Sequence, residues 1–250
     1  MEERLKEILS ILEKNQSIKI VDLCDKLYVS RSTIRRDLLK LEEEGVIKRY
    51  YGGVRLINNS SQESPQNLRA AENIKLKEQI CSVASHFLKN NMVMFLDSSS
   101  TILPLLNYIN DYDNITIITN SLDVSLFFKN SANIKVYITP GYVKLNSVSI
   151  IGEFTSDFIS HFKVDFAFYS CKSINNCGVY EGDELQANVK RNMIKNAKTN
   201  VLLCDSSKVN GNAYFRMTTY ENINYIISDK QLPDDIYMKI KNSNCKFIKA

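Results

Sequence analysis

The amino-acid sequence predicts an α/β protein in two parts: a small N-terminal unit of three helices and a hairpin, then a larger unit built on a mainly parallel sheet. Three observations predict it. Apolar residues recur at helical spacing as far as Leu41, then give way to two short strand-like segments around Gly52-Gly53. The stretch "NNSSQESPQNL" that follows is polar, carries a proline and lacks apolar periodicity, so it reads as a linker. Beyond it, helix-like segments alternate with apolar runs of strand length, the pattern of a parallel sheet with crossover helices. The expected boundaries are residues 1–57, a linker over 58–72, and 73–250.

In the first unit, Leu5, Ile8, Leu9 and Leu12 share one helical face. A second helix is expected over Ile20 to Leu27, with Val21, Leu23, Cys24 and Leu27 apolar, and Tyr28-Val29 makes a turn. Ser30 suits the N-cap of a third helix, because its hydroxyl can accept from unpaired backbone N–H groups. Ile34, Leu38 and Leu41 then mark its buried face, and Gly45 suits its C-terminal end. Val46 to Arg49 and Val54 to Leu56 are expected to pair as a hairpin. Helix, helix, turn, helix, hairpin within sixty residues is a winged helix-turn-helix pattern.

With Ile34, Leu38 and Leu41 turned inward, Arg31, Ser32, Arg35 and Arg36 face outward at the start of the third helix. Such a helix enters the DNA major groove with its N-terminal residues leading. Arginine grips guanine edges or phosphates through two N–H groups, and hydroxyls at a helix start suit phosphate oxygens. Between Arg31 and Arg55 there are seven basic and four acidic residues, a balance of +3. Taken singly, the arginines only solvate a helix face. The turn, the capped helix and the basic Gly-Gly hairpin together point to nucleic acid. The expected DNA-contacting residues are Ser30, Arg31, Ser32, Thr33, Arg35, Arg36, Arg49, Tyr51 and Gly52.

The stretch "VSRSTIRRDLLKLEEEGVIKRYYGGV" resembles the signature of the DeoR-type family of bacterial transcription regulators, which runs Ser-x-x-Thr-Ile-Arg-Arg-Asp-Leu, Leu-x-x-x-Gly, Arg-x-His-Gly-Gly. It matches at Ser30, Thr33, Ile34, Arg35, Arg36, Asp37, Leu38, Leu41, Gly45, Arg49, Gly52 and Gly53, and departs at Tyr51, where the family has histidine.

In the larger unit a helix is expected from Asn73 to Lys89, with Ile80, Val83, Ala84 and Phe87 on one face. Six strand candidates follow, each with a short polar tail: "MVMFLDSSST", "ITIITNS", "KVYITPG", "DFAFYSCKS", "NVLLCDSSK" and "NYIISD". Ligands of parallel sheets bind beyond the carboxyl ends of the strands, where these tails lie. Asp97, Ser98, Ser99, Ser100 and Thr101 precede an apolar segment able to begin a helix, with Pro104 in its first turn. Hydroxyls beside helix N–H groups form an anion cradle. Asn120 and Ser121 approach from the next strand end, Gly141 leaves room, Lys208 supplies a positive charge for a phosphate, and Asp97 can accept from sugar hydroxyls. Each residue alone is an ordinary cap or turn, and Ser206 and Ser207 are read only so. This region also resembles the family's effector domain at Asp97, Ser98, Thr101, Thr119, Asn120, Ser121, Gly141, Asp205, Ser207 and Lys208. It departs at Ser99 (glycine in the family), Ser100 (threonine) and Pro140 (glycine). The resemblance implies a fold related to ribose-5-phosphate isomerases and sugar-phosphate deaminases, used for sensing.

Composition sets bounds on the alternatives. The chain has 250 residues, 44% hydrophobic and 24% charged, with a formal net charge of +4, which neither demands nor excludes nucleic acid. Six cysteines without CxxC spacing and two histidines give no zinc pattern, so no metal and no cofactor are expected, and the thiols read as reduced in a cytoplasmic protein. "MEERLKEILS" reads as an amphipathic helix and not a signal peptide, and no apolar run is of membrane-spanning length. The sequence therefore reads as a transcriptional regulator of a carbohydrate operon, most simply a repressor. It would bind double-stranded operator DNA as a homodimer or homotetramer and respond to a phosphorylated sugar. A sugar-phosphate isomerase or deaminase with a DNA-binding head is the rival, though His86 and His161 fall outside the strand-end tails and no carboxylate pair is evident among Asp97, Glu184 and Asp205. A third reading is an architectural DNA-binding protein whose large unit only oligomerises.

Overall fold

The computed structural model describes residues 2–15, 17–43, 46–56 and 66–250. Gly45 and residues 58–65 of the expected linker lie outside them. The chain divides into two compact units, Met1–Gln62 and Glu63–Ala250.

The first unit runs α1 (Glu2–Asn15), β1 (Ser17–Lys19), α2 (Ile20–Leu27), α3 (Arg31–Glu43), β2 (Ile47–Tyr50) and β3 (Gly53–Leu56). Leu5, Ile8 and Leu12 of α1 close over Leu23, Ile34, Leu38, Leu41, Ile47 and Val54 in one apolar core. The expected α2 is met at both ends, and it stops because Tyr28 is left-handed (φ 53°) and returns its N–H to the Cys24 carbonyl. Ser30 caps α3, accepting from the Thr33 N–H at 3.3 Å. The hairpin pairs Arg49 with Val54 and Tyr50 with Gly53. Strand β1, not expected from three residues of sequence, adds to its other edge with Ile18 opposite Val54. Asp37 was also unexpected inside: it is 2% exposed, held by Arg4 Nε at 2.5 Å and Nη2 at 3.1 Å.

The second unit contains α4 (Gln66–Ala71), α5 (Ile74–Ala84), β4 (Val93–Leu96), α6 (Leu105–Ile109), β5 (Ile115–Thr119), α7 (Leu122–Phe127), β6 (Ile134–Ile138), β7 (Tyr142–Lys144), β8 (Ser149–Ile151), α8 (Glu153–Ser160), β9 (Val164–Tyr169), β10 (Ser173–Asn175), β11 (Gly178–Glu181), α9 (Glu184–Lys195), β12 (Ala197–Leu203), β13 (Phe215–Thr218), β14 (Tyr225–Ser228), α10 (Asp234–Lys241) and β15 (Lys246–Lys249). Seven strands form one sheet in the order β15-β14-β12-β9-β4-β5-β6, every neighbouring pair parallel. All six expected strands are in it; β15 is the seventh. An antiparallel sheet β10-β11-β13 and a hairpin β7-β8 complete the unit.

Both faces of the large sheet are covered. Phe95, Tyr169 and Leu202 join one core with Ala187 and Met193 of α9 and Ile236 of α10. Their strand neighbours Met94, Leu96, Phe168 and Leu203 join the opposite core with Ile80 of α5 and Leu105 of α6. Burial on both faces is why these strands read as unbroken apolar runs. From β4 the chain proceeds outward through β5 and β6, then returns to the other side of β4 as β9. The order of the sheet therefore switches between β4 and β9, and the crevice beyond their carboxyl ends is where such sheets hold ligands.

Three local expectations change. The helix expected over Asn73–Lys89 ends at Ala84 and tightens into a 3₁₀ turn over Ser85–Phe87. The hydroxyl-rich loop does not run straight into a helix: turns occupy residues 100–104, Pro104 takes the N-cap position, and α6 begins at Leu105. Part of the expected linker is helical, because α4 is pinned at both ends: Gln66 donates to the Ser98 carbonyl at 3.0 Å, and the Arg69 carbonyl accepts from Lys77.

Candidate functional site

The outward face of α3 carries the expected groups. Ser30, Arg31, Ser32, Arg35 and Arg36 are exposed and Thr33 is half-buried, over a face closed below by Ile34, Asp37, Leu38 and Leu41. The Ser30 hydroxyl is a local hub, 2.8 Å from Ser32 Oγ and 2.9 Å from Thr33 Oγ1. At the hairpin tip Tyr51 is 94% exposed, and Gly52 turns the chain at φ 79°. A Cβ at Gly53 would lie 2.3 Å from the tip of the Tyr50 ring, so a side chain there would have to displace that ring. Arg49 departs from expectation. Its Nε pairs with Glu42 at 2.6 Å and its backbone N–H donates to the same carboxylate at 2.9 Å, so it ties the hairpin to the end of α3. Tyr28, expected only as a turn residue, stands 95% exposed immediately before this face.

In the second unit the loop after β4 gathers three lysines, each on a different hydroxyl. Lys190 of α9 reaches Ser99 Oγ at 3.0 Å, Lys77 of α5 reaches Ser100 Oγ at 3.1 Å, and Lys208 reaches Thr101 Oγ1 at 2.7 Å. Only Lys208 was expected. Lys190 also pairs with Asp97 at 2.8 Å and Glu181 at 2.5 Å, and it donates to the Ser170 carbonyl at 2.8 Å. Lys208 sits 2.6 Å from Ser170 Oγ and 3.6 Å from Asp205. Three ammonium groups thus face three carboxylates, Asp97, Glu181 and Asp205. The cluster straddles the tails of β4 and β9, at the switch point of the sheet.

These lysines differ electrically. Burial is the largest single influence on Lys208 and lowers it, but Asp205, with smaller contributions from its other neighbours, leaves the ammonium above the ordinary lysine value. Burial likewise opposes charge on Lys190, and Asp97 and Glu181 outweigh it. Lys77 has no such direct partner: burial, then the nearby Lys208 charge, bring it down to about 8. The backbone N–H groups of Ser98, Ser100 and Thr101 donate to nothing among the described residues. Unpaired N–H groups beside ammonium groups are the chemistry that can hold an anion.

Other expected residues take different roles. Asp97 is 1% exposed, and its oxygens accept from Ser99 N at 2.9 Å, Ser99 Oγ at 2.6 Å and Ser170 N at 3.1 Å as well as facing Lys190. It shapes the loop instead of presenting a carboxylate to sugar hydroxyls. Ser121 is fully buried and caps α7, accepting from Val124 N at 3.3 Å. Gly141 makes room for the protein itself: a Cβ there would lie 2.3 Å from Thr155 Oγ1 and 2.7 Å from the Ile151 carbonyl. Ser206 and Ser207 are turn residues bonded to Asp229 and Asp205. Asn120 remains at the loop, its Nδ2 3.0 Å from the Ile150 carbonyl and 3.5 Å from Ser98 Oγ, while its Oδ1 is buried without a partner. A cavity of about 430 Å³ lined by Tyr225, Tyr237, Lys246 and Phe247 lies at the opposite, amino end of the sheet. Among the described residues no His, Cys, Asp and Glu group could hold a metal, and no helix is long and apolar enough to cross a membrane.

Comparison with known proteins agrees with this division. Residues 4–60 match the DeoR-like helix-turn-helix domain and residues 72–230 the DeoR C terminal sensor domain. The HTH-type transcriptional regulator GolR of Listeria innocua is 33% identical over 96% of this chain and 95% of its own. The glycerol-3-phosphate regulon repressor of Escherichia coli is 29% identical over 90% of each chain, and the HTH-type transcriptional repressor GlcR of Bacillus subtilis is 29% identical over 97% of this chain and 93% of its own. Among solved structures, ribose 5-phosphate isomerase from Methanocaldococcus jannaschii is similar over 55% of each chain, at 17% identity and a TM-score of 0.41.

Proposed function

The chain belongs to the DeoR family of DNA-binding transcriptional regulators, and from that premise we propose that it represses a carbohydrate operon and releases its operator when a phosphorylated sugar binds the loop Ser98–Thr101. The observation that carries the ligand reading is the convergence of Lys77, Lys190 and Lys208 on consecutive hydroxyls of one loop at the switch point of the sheet. Lys190 is matched by two carboxylates and organises the loop. Lys77 and Lys208 meet the phosphate, with the N–H groups of Ser98, Ser100 and Thr101. The names of relatives support the class of ligand, since one is a glycerol-3-phosphate regulon repressor. Isomerisation needs a free acid or base, and Asp97, Glu181 and Asp205 are all engaged by lysine. In the first unit Arg31, Arg35 and Arg36 meet the groove and Tyr51 the adjacent backbone. One such head covers one half-site, so two copies of the chain act together.

The test is fluorescence anisotropy on the chain's own upstream DNA at two salt concentrations, with a panel of sugar phosphates. Tight binding, weakened by salt and released by one compound, is the expected result. Binding that no phosphorylated compound disturbs removes the sensing role from the loop.

A further inference from the structure

Two primary amides flank Ser98, and each leaves its oxygen unmatched. Gln66 of α4 is 3% exposed; its Nε2 donates to the Ser98 carbonyl at 3.0 Å, and its Oε1 is buried with no partner. Asn120, after β5, is 2% exposed; its Nδ2 is directed at the Ile150 carbonyl and Ser98 Oγ, and its Oδ1 is likewise unpartnered. Both orientations are fixed by chemistry, because a flipped amide would set oxygen against a carbonyl oxygen. Buried polar atoms are nearly always satisfied, so two orphans on either side of one residue call for a partner.

An amide oxygen only accepts. A phosphate dianion has no proton to give it, so these two oxygens cannot serve the phosphate end of a ligand. Hydroxyl groups can. The loop therefore offers two chemistries side by side: amide acceptors beside Ser98, and N–H groups and ammonium ions from Ser98 to Thr101. A molecule that satisfies both has hydroxyls at one end and a phosphate at the other.

We propose that Gln66 and Asn120 form a hydroxyl-recognising subsite, and that Gln66 is the residue that makes the site prefer a polyol or sugar phosphate over phosphate alone. This rests on the phosphate reading above.

The test uses the full chain and calorimetry with inorganic phosphate and with three-, five- and six-carbon polyol and sugar phosphates, for wild type and Gln66→Met. The wild type is expected to bind one phosphorylated polyol or sugar at least tenfold tighter than inorganic phosphate. Gln66→Met should lose that ratio while its affinity for inorganic phosphate stays within twofold. An unchanged ratio in Gln66→Met overturns the subsite and leaves the phosphate reading standing. Loss of inorganic phosphate binding in Gln66→Met assigns Gln66 to loop structure and overturns it too. A wild type that binds none of these compounds overturns the phosphate reading and the subsite with it.

Discussion

Raising the pH from 7 to 9 should weaken ligand binding by about tenfold, and Lys77 should be the cause. Without ligand, burial and the Lys208 charge hold Lys77 at about 8, with Asp205 and Glu72 opposing and Arg69 assisting. Only the protonated amine attracts an anion, so the observed dissociation constant scales as one plus ten to the power of pH minus pKa. That factor is about 1.1 at pH 7 and about 11 at pH 9. The lysines and the thiol nearest the loop lie outside this window: Lys208 and Lys190 lie above the ordinary lysine value, and burial pushes the Cys81 thiol up to about 12. The ligand is already a dianion there, because a phosphate ester loses its second proton near about pH 6. Stability of the unliganded chain moves the other way. The folded value of Lys77 lies below its free value of 10.5, so the unfolded chain holds more protons between about 8 and 10.5, and stability rises with pH across that range, by at most roughly 3 kcal/mol. Calorimetry at pH 7, 8 and 9 measures the first effect and thermal unfolding the second. Lys77→Met should bind weakly and show no step. A wild type with flat affinity from pH 7 to 9, or a variant with the same step, refutes the reasoning.

Replacing both Arg35 and Arg36 with alanine should abolish specific operator binding and flatten the log–log salt dependence of residual binding by about 1–2, with thermal unfolding unchanged because both side chains are exposed; anisotropy across a salt series checks it. Lys208→Met should leave operator affinity intact and remove release by the effector, seen as DNA binding indifferent to the compound that releases the wild type. Leu38→Ala opens a cavity in the small core of the first unit, where Leu38 is fully buried, and should cost about 2–5 kcal/mol; the transition of that unit should fall or vanish in calorimetry while that of the second unit persists.

Where the sequence spoke through local chemistry, the fold follows it. The 3.6-residue spacing of α1 and α3, the left-handed turn after α2, the Ser30 cap and the apolar runs of the strands are all decided within a few residues of themselves. Strand order is decided by pairing across the chain, so neither the switch point between β4 and β9 nor the edge strand β15 could be read. The missed site residues left a readable trace. Lys77 shares its helical face with Ile80, Cys81 and Ala84, Lys190 lies between Ala187 and Met193, and Asp37 between Ile34 and Leu41. A charge inside an apolar stripe must be paired or poised once the helix packs, and each of these three is. Gln66 had no periodic neighbours to betray it, and the orphaned oxygens exist only in three dimensions.

An ammonium group has three N–H bonds. Lys77 commits one to the Arg69 carbonyl of α4 and one to Ser100, which leaves a single bond for anything new. A phosphate that wants more than one competes either with Ser100 or with α4, the helix that opens the second unit and directly follows the segment leading from the first. The lysine is then a shared tether: occupancy of the loop and the grip on α4 draw on the same three bonds, and tightening one end slackens the other.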